Sequence, residues 1–395
     1  MDKLEVKNVY KIYGSSPKQM IPYLEKGENK KSILKKHKHS VGVNNASFHV
    51  GEGEIFVIMG LSGSGKSTLV RCLNRLIEPT SGEIYIDGED VVHAAPAKLR
   101  EIRRNKIAMV FQNFALLPHR NVLDNVAFGL EIQNVDVEER RNKAMEMLEV
   151  VGLKGYQDSM PKELSGGMQQ RVGLARALAI NADILLMDEA FSALDPLIRN
   201  EMQNELLNIQ AKIQKTIVFI THDLDEALKL GDRIAIMKDG DIVQIGTPED
   251  ILHHPANDYV KEFTHGVNRS KVVTAESIMR NSESAILEKA GLRTAAKVMN
   301  NLGISSIFVT DKKHKLLGIV TIDKVSELMK NKETNLESAI DRDIQTVHLD
   351  TLVDDIIPLF FESKYPIGVV DDDGILKGII FKSTVLAGIS GREDD

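Results

Sequence analysis

The feature that most constrains this chain is the stretch Gly60-Leu-Ser-Gly-Ser-Gly-Lys-Ser67. It fits the pattern G-x-x-x-x-G-K-S/T, follows the apolar run Ile55 to Met59 and opens a helical pattern. Those neighbours predict a buried strand, a tight loop and a helix N-terminus in succession. Gly60, Gly63 and Gly65 let the backbone curl until its N–H groups converge on phosphate oxygens. The helix dipole adds to that attraction. Lys66 brings a positive charge to the β- and γ-phosphates, and the Ser67 hydroxyl suits a Mg²⁺ shell. Ser62, Ser64 and Thr68 complete the candidate phosphate site. The expected ligands are ATP and Mg²⁺.

Two further apolar runs, Ile184 to Met187 and Ile217 to Ile220, read as strands buried on both faces. Between the loop and these runs, Val137 to Val151 reads as an amphipathic helix. Its apolar positions include Ala144, Met147, Leu148 and Val151, and Gly152 is placed to cap it. This alternation predicts an α/β unit, a sheet covered by helices. The run at 184 ends in Asp188-Glu189. Downstream of a phosphate loop, Asp188 suits the metal shell, and Glu189 suits the general base that polarises an attacking water.

The chain has 395 residues, enough for two or three domains. Its net charge of −7 argues against nucleic acid as a partner. Cys72 is the only cysteine, so no intrachain disulfide forms and a reducing compartment is expected. No apolar run approaches the ~18 residues of a membrane span, and the N-terminus lacks a signal-peptide core. Residues 15–40 carry seven lysines and two glutamates between apolar segments. They read as an inserted, solvated surface excursion, with a specific membrane or partner contact as the alternative. From Leu292 onward the chain matches itself at an offset of 60 residues. Leu292 aligns with Leu352, Met299 with Leu359, Val309 with Val369, Asp311 with Asp371, and Val325 with Val385. Two copies of helix, strand, acidic turn, strand and helix predict a pseudo-symmetric pair.

Further motifs carry a resemblance. Leu164-Ser165-Gly166-Gly167-Met168-Gln169-Gln170 matches the ABC signature, with Met168 where many members have glutamine. Ser192-Ala-Leu-Asp195 follows Glu189 as the D-loop does. His222 matches the switch histidine, and Gln112 the Q-loop. Together these resemble ABC-transporter nucleotide-binding domains. The resemblance implies a P-loop NTPase fold with a helical subdomain over residues 1–265. It implies a head-to-tail homodimer in which Ser165, Gly166, Gly167 and Asp195 complete the ATP site of the other subunit. It also implies that Gln112 joins the metal shell and links the γ-phosphate to the permease surface, that His222 contacts the γ-phosphate, and that Tyr13 stacks on adenine.

The repeat resembles tandem CBS domains over residues 275–390, after a linker at 266–274. Family members often hold adenosine nucleotides through an Asp three residues after a Thr or Ser. Here Lys324 follows Thr321 at that spacing, and Thr384 follows Phe381. A bound nucleotide such as cyclic di-AMP and a ligand-free dimerisation module both stay open. ABC ATPases with this tandem resemble subunits of glycine betaine/proline osmoprotectant importers. That implies an integral membrane permease, an external substrate-binding protein or domain, and a peripheral place on the cytoplasmic face of the membrane. In some members an acidic tail follows the CBS pair; here Arg392-Glu-Asp-Asp395 stands in that place. Other readings are an importer of another small solute (proline, choline, carnitine or an amino acid), a soluble ABC ATPase of translation or DNA repair, and a regulatory module with a dead ATPase. One cassette without basic character weighs against the soluble ATPase of translation or DNA repair. Intact Lys66, Asp188, Glu189 and His222 weigh against the last.

Overall fold

The computed structural model describes residues 2–112, 114–192, 194–264, 270, 273–281, 286–287 and 290–385. The chain divides into two compact units, residues 1–265 and 266–395. The expected linker falls mostly outside the described residues, as do the end of the repeat and the tail at 392–395.

Among its described residues the first unit holds ten strands: β1 (Asp2–Tyr13), β2 (Ser40–Gly51), β3 (Ile55–Met59), β4 (Ser81–Ile86), β5 (Glu89–Asp90), β6 (Ile107–Phe111), β7 (Ile184–Asp188), β8 (Thr216–Thr221), β9 (Arg233–Lys238) and β10 (Asp241–Gly246). The three apolar runs read from the sequence are β3, β7 and β8, and every residue in them is buried. They form the middle of a six-stranded sheet ordered β10-β9-β3-β8-β7-β6. All its pairings are parallel except β9 with β10. A parallel sheet delivers every strand's C-terminal end to one edge, where ligands of such folds bind. Here the loops after β3, β6, β7 and β8 carry Gly60 to Gly65, Gln112, Glu189 and His222.

A second, antiparallel sheet runs β2-β1-β4-β5. Phe48 on β2 stacks on Phe56 of β3 at 5.0 Å, joining the two sheets in one core. The helices of this unit are α1 (Ile21–Glu25), α2 (Lys30–His37), α3 (Lys66–Leu73), α4 (Pro96–Asn105), α5 (Val122–Ile132), α6 (Val137–Val150), α7 (Gly166–Ala179), α8 (Pro196–Ile213), α9 (Leu224–Leu230), α10 (Pro248–His253) and α11 (Asp258–Phe263). The amphipathic pattern at 137–151 is α6. Ala144, Met147 and Leu148 are buried, and Gly152 turns the chain at φ +69°. Helices α5, α6 and α7 pack together as a helical subdomain.

The lysine-rich segment is folded, which adds a small core to the expected surface excursion. Helices α1 and α2 close a small core in which Met20, Leu24 and Ile33 pack with Tyr10, Ile12 and Val41. Asn29 caps α2 by accepting from Ser32 N. Six of the seven lysines stay exposed. Charge count concealed the three apolar residues that anchor the segment.

The second unit confirms the internal repeat physically. Strands Ser306–Thr310 and Leu316–Thr321 form one antiparallel pair; Ile367–Val370 and Leu376–Ile380 form its counterpart. Helices Leu292–Leu302 and Val353–Glu362 precede them. Asp311 Oδ1 accepts from Lys313 N and Lys315 N, and Asp371 Oδ1 accepts from Asp373 N and Ile375 N. The two turns also exchange bonds: Leu316 N donates to Gly374 O and Leu376 N to His314 O, both at 3.0 Å. The pair therefore has an approximate two-fold relation.

Truncating Ile33, which has no exposed surface, costs about 2–4 kcal/mol for a deleted core side chain. Ile33→Ala should speed amide exchange across residues 20–37, whereas exposed Lys35→Ala should leave it near wild type.

Candidate functional site

The loop between β3 and α3 adopts left-handed backbone at Gly60, Gly63 and Gly65, with φ of +151°, +78° and +107°. Space demands glycine as well. A Cβ on Gly65 would stand 2.1 Å from Gly42 O, and one on Gly60 2.2 Å from Met237 O. Several of the loop's carbonyls are engaged. Lys66 Nζ donates to Gly60 O at 2.8 Å and Leu61 O at 3.2 Å. Gly240 N donates to Ser64 O at 2.8 Å. Lys66, Ser67 and Thr68 open α3, so their N–H groups have no acceptor within the helix, and no side chain caps it. Ser64 N–H closes the loop's own turn on Leu61 O at 3.1 Å, and the N–H groups that open α3 beside Lys66 make a receptor for anions.

Lys66 is buried, and burial pulls its ammonium below the usual lysine range against the opposing pull of Glu189 and Asp188. Ser64 Oγ is buried without a partner, a donor and acceptor inside the loop. Ser62 is exposed at the loop's tip. Tyr13 is exposed with Lys11 Nζ 4.9 Å from its ring centre. Its ring and the Thr68 methyl both lie beside Gly42, which places Tyr13 next to the start of α3.

The two carboxylates divide. Asp188 is buried; its Oδ1 accepts from Ser67 Oγ at 2.9 Å and its Oδ2 from Arg71 Nη2 at 3.1 Å. Glu189 has φ +48°, a left-handed conformation costing a non-glycine residue about 1–3 kcal/mol. Consecutive residues of a continued strand would face opposite sides of the sheet; this turn lets both acids serve one cleft. Glu189 Oε2 accepts from Gln112 Nε2 at 3.2 Å and lies 3.6 Å from His222 Nδ1, while Oε1 is 3.9 Å from Lys66 Nζ. Gln112 Nε2 also donates to Ser192 Oγ at 3.1 Å. The hydrogen bonds of Gln112 thus run to Glu189 and Ser192, and those of Ser67 run to Asp188.

Hard oxygen donors at Ser67 and Asp188 fit Mg²⁺, which prefers one or two protein oxygens alongside phosphate. Among the described residues no cluster of three or more His, Cys, Asp or Glu side chains is built to hold a metal alone. A divalent ion arriving with a polyphosphate suits that arrangement.

Ser165, Gly166, Gly167 and Asp195 form a second constellation. Ser165 caps α7 by accepting from Met168 N, and Asp195 caps α8 by accepting from Ile198 N. Gly167 packs where a Cβ would meet Ile198 Cγ2 at 2.5 Å. Ser165 and Gly166 are exposed. Among the described residues no hydrogen bond joins this group to Lys66, Ser67, Asp188 or Glu189.

One network was not legible in the motifs. Gln203 Nε2 donates to Glu226 Oε1 at 3.1 Å, deep between α8 and the segment after β8. Arg199 bridges Asp223 at 3.3 Å and Leu194 O at 3.2 Å. It ties the D-loop to the His222 loop. The only sequence signal was Asp223, adjacent to His222. Burial pushes the Glu226 carboxyl above the usual range, opposed by hydrogen bonds from Thr221 and Gln203. A raised carboxyl stabilises the fold fully below its unfolded pKa, about 4.3, and loses that contribution as pH rises through the folded value. Glu226→Gln should therefore raise the melting temperature at about pH 8 more than at about pH 5.

An ABC transporter model matches residues 43–192, and a CBS domain model matches residues 275–331 and 336–391. The glycine betaine/carnitine transport ATP-binding protein GbuA of Listeria monocytogenes is 55% identical, covering 100% of this chain and 99% of that protein. The glycine betaine/proline betaine transport ATP-binding protein ProV of Escherichia coli is 52% identical over 97% of this chain and 96% of its own length. A dimeric structure of the bacterial ABC transporter cassette MJ0796 shares 35% identity at TM-score 0.53, covering 62% of this chain and 98% of that one. The same cassette has a structure bound to ADP and Pi. No helix of the described residues is long and apolar enough to cross a membrane. Motifs, sheet order and full-length relatives agree: this chain belongs to the ABC transporter family, as an ATP-binding subunit of the glycine betaine/proline osmoprotectant group carrying a tandem CBS pair.

Proposed function

We propose that this chain hydrolyses ATP to energise uptake of a quaternary-ammonium osmoprotectant, with glycine betaine the first candidate. The observation that carries the reading is Glu189, held among Gln112, His222 and Lys66 beside the Ser67–Asp188 pair. Lys66 and the N–H groups that open α3 bind the β- and γ-phosphates. Ser62, Ser64 and Thr68 line the same loop, and Tyr13 offers its ring to the adenine. Mg²⁺, held through Ser67 and Asp188, would neutralise charge on the phosphate oxygens. Gln112 and His222 orient the Glu189 carboxylate, which takes the proton of the attacking water. Phosphoryl transfer of this kind is mostly positioning and charge stabilisation.

The exposed Ser165 and Gly166, with Gly167 and Asp195, lie outside the hydrogen-bonded cluster of their own chain. They suit a partner subunit's γ-phosphate in a head-to-tail homodimer. A permease in the membrane and an external binding protein complete the complex, with this chain on the cytoplasmic face. The protein has no tryptophan, so the aromatic cage that selects a quaternary ammonium belongs to another subunit. The CBS pair gates the cycle according to cell state, through ionic strength or a nucleotide such as cyclic di-AMP. Thr321 Oγ accepts from Lys324 N, and Thr384 Oγ accepts from Phe381 N. Both hydroxyls are engaged locally, which supports a contact set unlike the usual ribose pair.

Labelled glycine betaine uptake tests the reading, in cells at high osmolarity that lack other betaine routes. Cells with the wild-type chain should accumulate the label, and cells with Lys66→Ala should fall to background. No uptake with ATPase activity intact would move the cargo to carnitine, choline or proline.

A further inference from the structure

The phosphate loop has a contact that none of its own motifs supplies. Lys30, the first residue of α2, donates from Nζ to Gly63 O at 3.0 Å. Gly63 is the middle glycine of the loop, 33 residues away in sequence. The lysine comes from the inserted segment, not from the nucleotide-binding sheet.

Several features make this contact a built one. Asn29 fixes the start of α2 by accepting from Ser32 N at 2.9 Å. Glu28, just before it, accepts from Ser32 Oγ at 2.6 Å and pairs with Lys36 at 3.2 Å. Ile33, one turn on, is fully buried in the insertion's core. The base of the Lys30 side chain is therefore anchored on both sides. Lys30 is half-buried, whereas its neighbour Lys31 is exposed.

Gly63 sits at φ +78°, and a Cβ placed there would meet nothing within 4 Å. No side-chain packing holds this part of the loop, so hydrogen bonds must set its direction. At the loop's other end the Leu61 N–H faces the Tyr259 hydroxyl, whose ring lies 4.2 Å from Lys238 Nζ. Residues 61 and 63 are thus steadied from outside, which leaves the N–H groups from 65 to 68 aimed together. The Gly63–Ser64 peptide unit is planar and is held at both ends: Lys30 takes its carbonyl, and its Ser64 N–H donates to Leu61 O at 3.1 Å, closing the turn that leads into Gly65 and α3.

We propose that Lys30 is a positioning residue for the nucleoside triphosphate: the insertion holds the phosphate loop in its anion-binding geometry through the Gly63 carbonyl. This rests on reading residues 60–68 as the ATP phosphate site. The insertion is then part of the nucleotide site and not decoration on the surface.

The test is steady-state ATP hydrolysis by the full chain in its transporter complex, with four variants. Lys30→Met should raise KM for ATP about threefold to tenfold, the range of one ordinary net hydrogen bond, as suits an exposed contact, with kcat within about twofold and the melting temperature unchanged. Lys30→Arg should restore the wild-type KM. Lys31→Met removes the same charge from an exposed neighbour and should leave KM unchanged. A Lys30→Met KM equal to that of Lys31→Met would overturn the proposal. So would a KM shift that tracks a fall in melting temperature, which marks a folding defect. Lys66→Ala separates the two claims: ATP binding retained there removes the phosphate-site reading itself, while binding lost there with normal kinetics in Lys30→Met removes only the role of Lys30.

Discussion

The closest approach in the nucleotide site is backbone against backbone. A Cβ at residue 65 would fall 2.1 Å from the carbonyl oxygen of Gly42, so β2 and the phosphate loop meet through glycine on both sides. The turn between β9 and β10 joins the same knot: Gly240 N donates to Ser64 O, and Asn44 N donates to Gly240 O. The first of these bonds takes up the Ser64 carbonyl and fixes the back of the loop, leaving its other face for the cleft. The rest of the site is arranged around that face. Ser67 opens the helix that follows, Asp188 reaches it from the next strand but one, and Lys66 folds back along the loop.

A second constraint acts at the end of β7. Glu189 would point away from Asp188 if the strand continued, and its left-handed backbone prevents that. Its N–H still donates to Ile220 O on β8, so the strained residue is tied to the sheet before it turns. Arg199, Asp223 and Leu194 O then connect the D-loop with the His222 loop. The D-loop and the residue that follows His222 therefore share one guanidinium.

Much of this is legible in the sequence. Ile55 to Met59, Ile184 to Met187 and Ile217 to Ile220 are buried on both faces, and an all-apolar run admits few other placements. The offset between Asp311 and Asp371 was visible because each acid accepts from two backbone amides in its turn, a requirement tied to residue type. The small core of the insertion was hidden for the opposite reason. Met20, Leu24 and Ile33 are too few to give a periodic signal among seven lysines, yet they suffice once Tyr10, Ile12 and Val41 supply the other half of the core. Glu226 and Gln203 lie 23 residues apart with no spacing rule to join them. The left-handed turn at Glu189 was equally hidden, because nothing in the residue type asks for it.

The central claim is that Glu189 is the base of a phosphoryl transfer at this site. It is tested most directly by single-turnover hydrolysis of bound ATP in Glu189→Gln, beside wild type. Glutamine keeps the size and one acceptor oxygen while removing the capacity to take a proton. ATP affinity within about threefold of wild type, with hydrolysis slowed at least about 100-fold, is the result the account predicts. Hydrolysis at the wild-type rate, with ATP bound normally, would contradict it and leave the carboxylate as an anchor for Gln112 and His222 alone.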